Sequence, residues 1–118
     1  MSRFPKVHPI CVPGSFETNL QATNDIRFSG RVLLIRAKGV VTKALAGTDA
    51  GTVALKNAAG TTLATITIPL SSALDVEVSV DFPANTFIER DSYLRLDFTK
   101  TTAGGSANVF VEYQSLGE

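Results

Sequence analysis

The sequence contains few of the residues that build disulfide frameworks, metal sites and catalytic dyads. Its 118 residues include one cysteine, one histidine and no tryptophan. The single cysteine, Cys11, excludes an internal disulfide framework and any metal site that needs several thiolates. Stability must therefore come from an apolar core, and one domain of this length buries roughly two-thirds of the surface that its unfolded chain exposes.

The chain also lacks net charge and long apolar runs. Eleven acidic and eleven basic residues balance, so no overall field attracts a polyanion or an anionic lipid surface. The N-terminal residues have no apolar signal core, and no run reaches the ~18 apolar residues of a membrane helix. We therefore expect neither nucleic acid nor membrane as a partner, and synthesis in a cytoplasm-like compartment.

Helical periodicity is missing, and strand periodicity takes its place. β-Branched residues dominate, glycine and proline recur at short intervals, and no window has helical apolar spacing. The clearest alternation sets Val76, Val78, Val80 and Phe82 against polar neighbours, and residues 57–60 predict a hairpin turn. About eight short strands predict an all-β fold, an antiparallel two-sheet sandwich. A jelly roll is favoured over an immunoglobulin-like topology, whose tryptophan and paired cysteines are absent.

Residues 1–15 differ from the predicted β domain at residues 16–118. Prolines recur every four residues in this segment and prevent a helix, so it should be extended. It also carries spaced apolar side chains that a disordered tail would lack. We interpret it as an N-terminal arm that binds a partner, with these contact residues: Phe4, Pro5, Val7, Pro9, Ile10, Val12 and Pro13.

No nucleophile with an oriented base is evident, and we expect a protein that is not an enzyme. The only histidine, His8, lies in the arm, three residues before Cys11. In an extended segment this spacing points the two side chains to opposite sides. We interpret them as an exposed histidine and a packed thiol.

The acidic side chains suggest two kinds of site. A carboxylate pair for glycoside hydrolysis would come from Glu77, Asp81 and Asp97. Cross-strand ion pairs on a solvated sheet face explain the same residues better, with Arg36, Lys38 and Arg95 as partners. A calcium site would draw on Asp49, Asp75, Glu89 and Asp91, but their spacing does not fit an EF-hand and favours solvated turns. We expect no metal and no cofactor.

Residues 40–53 and 57–64 form a stretch rich in threonine, alanine and glycine. This stretch resembles the β-sandwich modules of small structural proteins of tailed bacteriophages, among them capsid cement or decoration proteins and head and tail fibres. The resemblance implies a virion protein that binds the outside of an assembled capsid and stabilises it. Its partner would be the major capsid protein or another virion protein, and it would form a small homo-oligomer, with a trimer favoured and a dimer possible.

Two other functions stay open at this point. A head or tail fibre module would bind a receptor or glycan on the host surface, and Tyr93 and Tyr113 are its candidate surface contacts because each lies on an alternating strand. A small enzyme that acts on carbohydrate would need the paired carboxylates named above.

Overall fold

The computed structural model describes residues 7–16, 22–46, 48–69, 72–100, 102 and 104–116. Within these residues the chain forms nine strands and no helix, so none of them belongs to a helix that could span a membrane. The strands are β1 (Val7–Ser15), β2 (Ala22–Arg27), β3 (Val32–Lys43), β4 (Gly51–Asn57), β5 (Thr62–Ile68), β6 (Glu77–Asp81), β7 (Phe87–Ile88), β8 (Tyr93–Thr99) and β9 (Ser106–Ser115).

The strands form two antiparallel sheets. The first sheet has the order β1-β9-β3-β6, with the short β7 also paired to β3, and the second has the order β2-β8-β4-β5. The predicted antiparallel two-sheet sandwich is therefore confirmed. Without the two-residue β7, each sheet contains four strands, and the chain passes back and forth between the two sheets. This strand order is consistent with the two Greek keys of a jelly roll.

Alternating side chains fill the space between the sheets. β6 turns Val78 and Val80 toward the core and Glu77 and Asp81 toward solvent, as its sequence pattern predicts. The central strands of both sheets follow the same rule, so each sheet presents an apolar face to the other. The core side chains include Leu34, Val41, Val53, Leu55, Ile66, Ile68, Leu94, Leu96, Phe98, Val109 and Val111.

The hairpin predicted at residues 57–60 joins β4 to β5. Gly60 adopts a φ of 88°, in the left-handed region that favours glycine, and its amide donates to the Asn57 carbonyl at 3.0 Å. The amide of Thr61 donates to the Asn57 side chain, also at 3.0 Å. The turn predicted from the sequence is therefore confirmed, and the structure identifies Gly60 as the residue that permits it.

Residues 7–15 of the predicted arm belong to the sandwich. They form β1, which pairs with β9 from Val7 opposite Gln114 to Ser15 opposite Ser106, without a break in register. The segment is extended, as expected, but it does not leave the domain at residue 15. The sequence shows its apolar side chains and not the strand that pairs with it, since that strand lies at the other end of the chain. Residues 1–6 lie outside the described residues.

The prolines of β1 are suited to the edge of a sheet. Pro9 and Pro13 are four positions apart, an even step, so both direct their backbone nitrogen to the same side of the strand. Proline has no amide hydrogen to donate, and within sheets it occurs where that side is unpaired. An edge that lacks two donors is a poor template for another strand. The proline spacing therefore protects this edge.

β1 comes close to the second sheet at Gly14. A Cβ atom at this position would lie 2.1 Å from the ring of Phe98. That ring is buried and packs against Phe16, with 5.7 Å between the ring centroids. The Phe16 amide donates to the Gly105 carbonyl at 2.8 Å, and the Gly104 amide donates to the Phe16 carbonyl at 2.7 Å. An aromatic pair and a close backbone approach thus close this end of the sandwich.

Replacing Gly14 with alanine should destabilise the fold. The added methyl group overlaps the Phe98 ring, so the strand or the ring must move, at a cost of about 1–3 kcal/mol in the free energy of unfolding. Urea denaturation followed by circular dichroism measures this. Cys11→Ala, at an exposed position of the same strand, is the control and should change stability by less than about 0.5 kcal/mol. An unfolding midpoint equal to that of the unmodified protein would contradict the predicted overlap.

Candidate functional site

The outer face of the first sheet carries an exposed row of apolar side chains. Odd-numbered residues of β1 point outward, and Val7, Pro9, Cys11 and Pro13 are all exposed. Phe110 lies opposite Cys11 on β9, between the buried residues on either side of it, so its half-buried ring also faces outward. We call these five residues the apolar strip. It is the exposed apolar surface that the paired strands β1 and β9 provide.

The predicted contact residues of the arm divide between the two faces of β1. Val7, Pro9 and Pro13 belong to the apolar strip. Val12 is buried in the core and Ile10 packs against it, so neither belongs to the exposed strip, and their role in binding a partner stays a prediction. They alternate with the exposed residues, and a strand in a sheet must turn alternate side chains to opposite faces.

Two of the predicted contact residues, Phe4 and Pro5, lie outside the described residues. Their role in binding stays a prediction.

Ion pairs cover the other half of the same sheet face. Arg36 on β3 contacts Asp81 on β6 at 3.0 Å. Lys38 lies 3.6 Å from both Glu77 and Glu112, on the two neighbouring strands. We call this group the charged ladder. It confirms the predicted cross-strand pairing for Arg36 and Lys38, and it borders the apolar strip along β9.

The three candidate carboxylates for glycoside hydrolysis are not brought together. Glu77 and Asp81 lie on the outer face of the first sheet, whereas Asp97 belongs to β8 in the second sheet. Asp97 is only 4% exposed and contacts Lys56 at 2.9 Å. A glycosidase pair must flank one bond, about 5–10 Å apart. Asp97 lies on a different sheet from the other two, and Glu77 and Asp81 are four positions apart on one strand, roughly 13 Å. Each of the three lies beside a basic partner.

The acidic residues considered for calcium are also spread out. Asp75 and Asp91 occupy turn positions with φ of 69° and 67°. Glu89 contacts Arg31 at 3.0 Å. Among the described residues, no group of three or more histidine, cysteine or acidic side chains is arranged to hold a metal ion.

Asp49 instead joins two loops through a buried lysine. The side chain of Lys100 is fully buried, and its ammonium group donates to Asp49 Oδ1 at 3.0 Å and to the Thr102 carbonyl at 2.7 Å. The Thr102 amide donates to the same carboxylate at 3.0 Å, and the Thr102 hydroxyl contacts it as well. The loop before β4 is thereby fixed to the loop before β9. The sequence does not predict that this lysine is buried, because burial of a charge depends on the partners that the fold supplies.

His8 and Cys11 point to opposite sides of β1, as their spacing predicts. The His8 ring lies 5.7 Å from the ring of Tyr113, centroid to centroid. Cys11 is a free and exposed thiol, so the interpretation of a packed thiol is wrong. The odd positions of this strand face solvent, and nothing in the described part of the chain covers them.

The two candidate tyrosines occupy different settings. Tyr93 lies between two guanidinium groups, with Arg27 at 5.0 Å and Arg95 at 5.2 Å from the ring centroid. Tyr113 contacts the ring of Phe28 edge to face, with 5.0 Å between centroids. Both tyrosines are half-buried. The stacking of cations on Tyr93 leaves Tyr113 as the tyrosine whose surroundings suit a ligand.

A cavity of about 280 Å³ opens beside Tyr113. It lies where β1, β9 and the connection from β2 to β3 meet. Its lining combines apolar, aromatic and polar side chains, among them Ile10, Arg27, Phe28, Ser29, Tyr113 and Ser115. We call this cavity the Tyr113 pocket. Sequence analysis singled out Tyr113 but missed Arg27 and Phe28, whose only signal was an aromatic residue next to a cation just before a Ser-Gly turn.

The cation beside Tyr93 is held by a carboxylate. Arg95 donates two hydrogen bonds to Asp25, at 2.8 and 3.1 Å, across the pairing of β2 with β8. These hydrogen bonds stabilise the ionised carboxylate and lower the pKa of Asp25 below its usual value of 3.8, and they raise the pKa of Arg95. Arg95 therefore forms a cross-strand ion pair, as expected, but with Asp25 and not with one of the three acidic residues that the sequence analysis named.

Comparison with known proteins shows a likeness of fold. No protein-family model matches the chain, and no curated protein matches it. Among solved structures, a protein of Bacillus endospore appendages, described as a novel family of disulfide-linked pili, aligns with a TM-score of 0.53 and 17% identity over 93% of this chain and 86% of its own. At that identity the alignment shows a shared β-sandwich fold.

A second solved structure aligns more loosely. It is the VP2 subviral particle of infectious bursal disease virus, with a TM-score of 0.39 and 15% identity. The alignment covers 99% of this chain but only 34% of the virus protein, so this chain spans about a third of that protein's length.

Replacing Asp49 with alanine should destabilise the protein strongly. It leaves the Lys100 ammonium group buried without its carboxylate, and breaking such a pair costs about 3 kcal/mol or more. Lys100→Met removes the charge and keeps the apolar stem, so it should cost less. Unfolding in urea measures both. A smaller loss of stability for Asp49→Ala than for Lys100→Met would contradict this explanation.

Asp25 should titrate below pH 3.8, because Arg95 stabilises its ionised form. The stability that this pair contributes is present above pH 3.8 and is lost as the pH falls through the lowered pKa of the folded state. NMR titration of the Asp25 carboxyl carbon measures the midpoint. Arg95→Gln should move it back toward 3.8, and Arg90→Gln, in an exposed turn, should leave it unchanged. A midpoint that Arg95→Gln does not move would contradict the assigned cause.

Proposed function

We propose that this protein is a structural component of a virion that binds the outside of an assembled phage capsid and stabilises it. The observation that carries the proposal is the apolar strip on the outer face of the first sheet. Val7 is 48% exposed there, and the neighbouring positions of β1 are exposed as well. An apolar centre with a polar border is the usual anatomy of a protein interface.

The surroundings of the strip suit it to a specific contact. The charged ladder borders it on one side, and charged groups at the rim of an interface set orientation more than affinity. Two of its five residues are prolines in a strand already paired with β9. Little conformational freedom remains to be lost on binding, so more of the burial energy contributes to affinity.

The partner in this proposal is the major capsid protein or another virion protein. A homo-oligomer, with a trimer favoured, would present several strips to several equivalent capsid sites and so raise the overall affinity. The proposal includes no catalysis, cofactor, nucleic acid or membrane. The Bacillus appendage protein builds a pilus, which makes a sandwich of this kind compatible with assembly into larger structures.

A double variant, Val7→Ser with Phe110→Ser, should bind purified capsids that lack the protein about 100-fold more weakly. Each side chain would contribute roughly 1.5 kcal/mol through burial at the contact. Because neither side chain belongs to the core, the fold should persist, which a deletion of β1 would not ensure. Cosedimentation with capsids measures the binding.

The matched control is Leu74→Ser, which replaces a side chain that is 60% exposed and lies outside the strip. It should bind capsids like the unmodified protein. Absence of saturable binding by the unmodified protein at micromolar concentration would overturn the capsid partner. Unchanged binding by the double variant would overturn the strip as the contact.

A further inference from the structure

The Tyr113 pocket is a built cavity that the capsid contact does not use. Its walls come from β1 and β9, which are paired over nine residues, and from the end of β2 with the turn that follows it. Strands of a sandwich hold side chains more rigidly than loops do. The pocket therefore exists before any ligand arrives, as small-molecule sites usually do.

Three hydroxyl groups line the pocket. Among the described residues, the hydroxyl groups of Ser29, Tyr113 and Ser115 make no hydrogen bond, although Tyr113 makes ring contacts. Each is a donor and an acceptor. Three such groups around one cavity are available to a ligand that carries hydroxyl groups.

A cation completes the set. Arg27 is exposed, contacts the face of the Tyr93 ring and makes no ion pair within the described residues. Asp25, whose pKa is influenced by Arg27, is already held by Arg95 through two hydrogen bonds. None of the described residues that line the pocket is acidic. Arg27 lines the pocket, and its guanidinium fork can bind a carboxylate there through two hydrogen bonds once the side chain turns from the Tyr93 ring toward the cavity.

The apolar part of the lining restricts the ligand further. Ile10, Phe28 and the ring of Tyr113 offer surface for the C–H face of a ring-shaped ligand. The volume lies near the lower end of small-molecule sites, which begin at about 300 Å³. One ring with hydroxyl groups on its edge, an apolar face and a carboxylate fits all of these features. An acidic sugar has this chemistry.

We infer that the Tyr113 pocket binds the acidic sugar at the end of a glycan, with Arg27 holding the carboxylate and Tyr113 contacting the ring. This gives the protein a second surface function, recognition of an acidic glycan, beyond its proposed structural role. The pocket and the apolar strip share no residue, so the two functions can be tested separately.

NMR titration with N-acetylneuraminic acid and with glucuronic acid tests this inference on the full chain. At least one of them should bind saturably, with a dissociation constant in the millimolar range that is typical of one sugar ring, and should shift signals of Arg27 and Tyr113. Glucose, which has no carboxylate, should bind at least about tenfold more weakly, because a hydrogen-bonded charge contributes at least that factor. Acetate alone should not reproduce the shifts at Tyr113.

Variants separate the pocket from other surfaces. Arg27→Gln should weaken binding of the acidic sugar at least about tenfold, and Tyr113→Phe should weaken it to a smaller extent. Arg90→Gln, which removes an exposed arginine elsewhere, should have no effect. Thermal unfolding checks that each variant is folded.

Three results would overturn the inference: no saturable binding of either acidic sugar, equal binding of glucose, or shifts that map away from the pocket. All three results come from the unmodified protein and so do not depend on a variant that folds.

Discussion

The pairing of β9 on both of its sides is the constraint on which the rest of the structure depends. Its residues lie opposite β1 on one side and β3 on the other. This register places Phe110 in the apolar strip, Glu112 in the charged ladder and Tyr113 at the pocket. A slip of one residue would exchange the two faces of the strand. It would turn the strip inward and expose the buried valines, so one register fixes the core and both candidate surfaces together.

Local pattern was enough to predict most of the strands, because alternation and turn chemistry are properties of neighbouring residues. The stretch around Val78 and the hairpin at Gly60 are examples. The pairing of strands is not local, and for this reason β1 was mistaken for a separate arm. The same apolar residues, Ile10 and Val12, suit a binding surface or a core, and only β9, at the far end of the chain, decides between them.

The candidate surfaces were predictable only in part, for the same physical reason. The alternation of β9 singled out Tyr113 but not Phe110, which was not named as a contact residue. No sequence pattern singled out Arg27, since its place at a pocket depends on how three strands come together in the fold. The burial of Lys100 could not be predicted either. A surface residue by composition is buried because Asp49 and Thr102 supply its hydrogen bonds.

The place of β9 in the chain also has a consequence for newly made protein. Ser15 finds its partner, Ser106, only after all the residues between them have been synthesised, which at typical rates of synthesis takes roughly five to twenty seconds. Until then β1 and β3 each lack a neighbour and expose apolar faces to other chains. Pro9 and Pro13 therefore protect this strand during synthesis as well as in the folded protein. Because two amide donors are missing, β1 pairs poorly with strands of other chains before β9 is available.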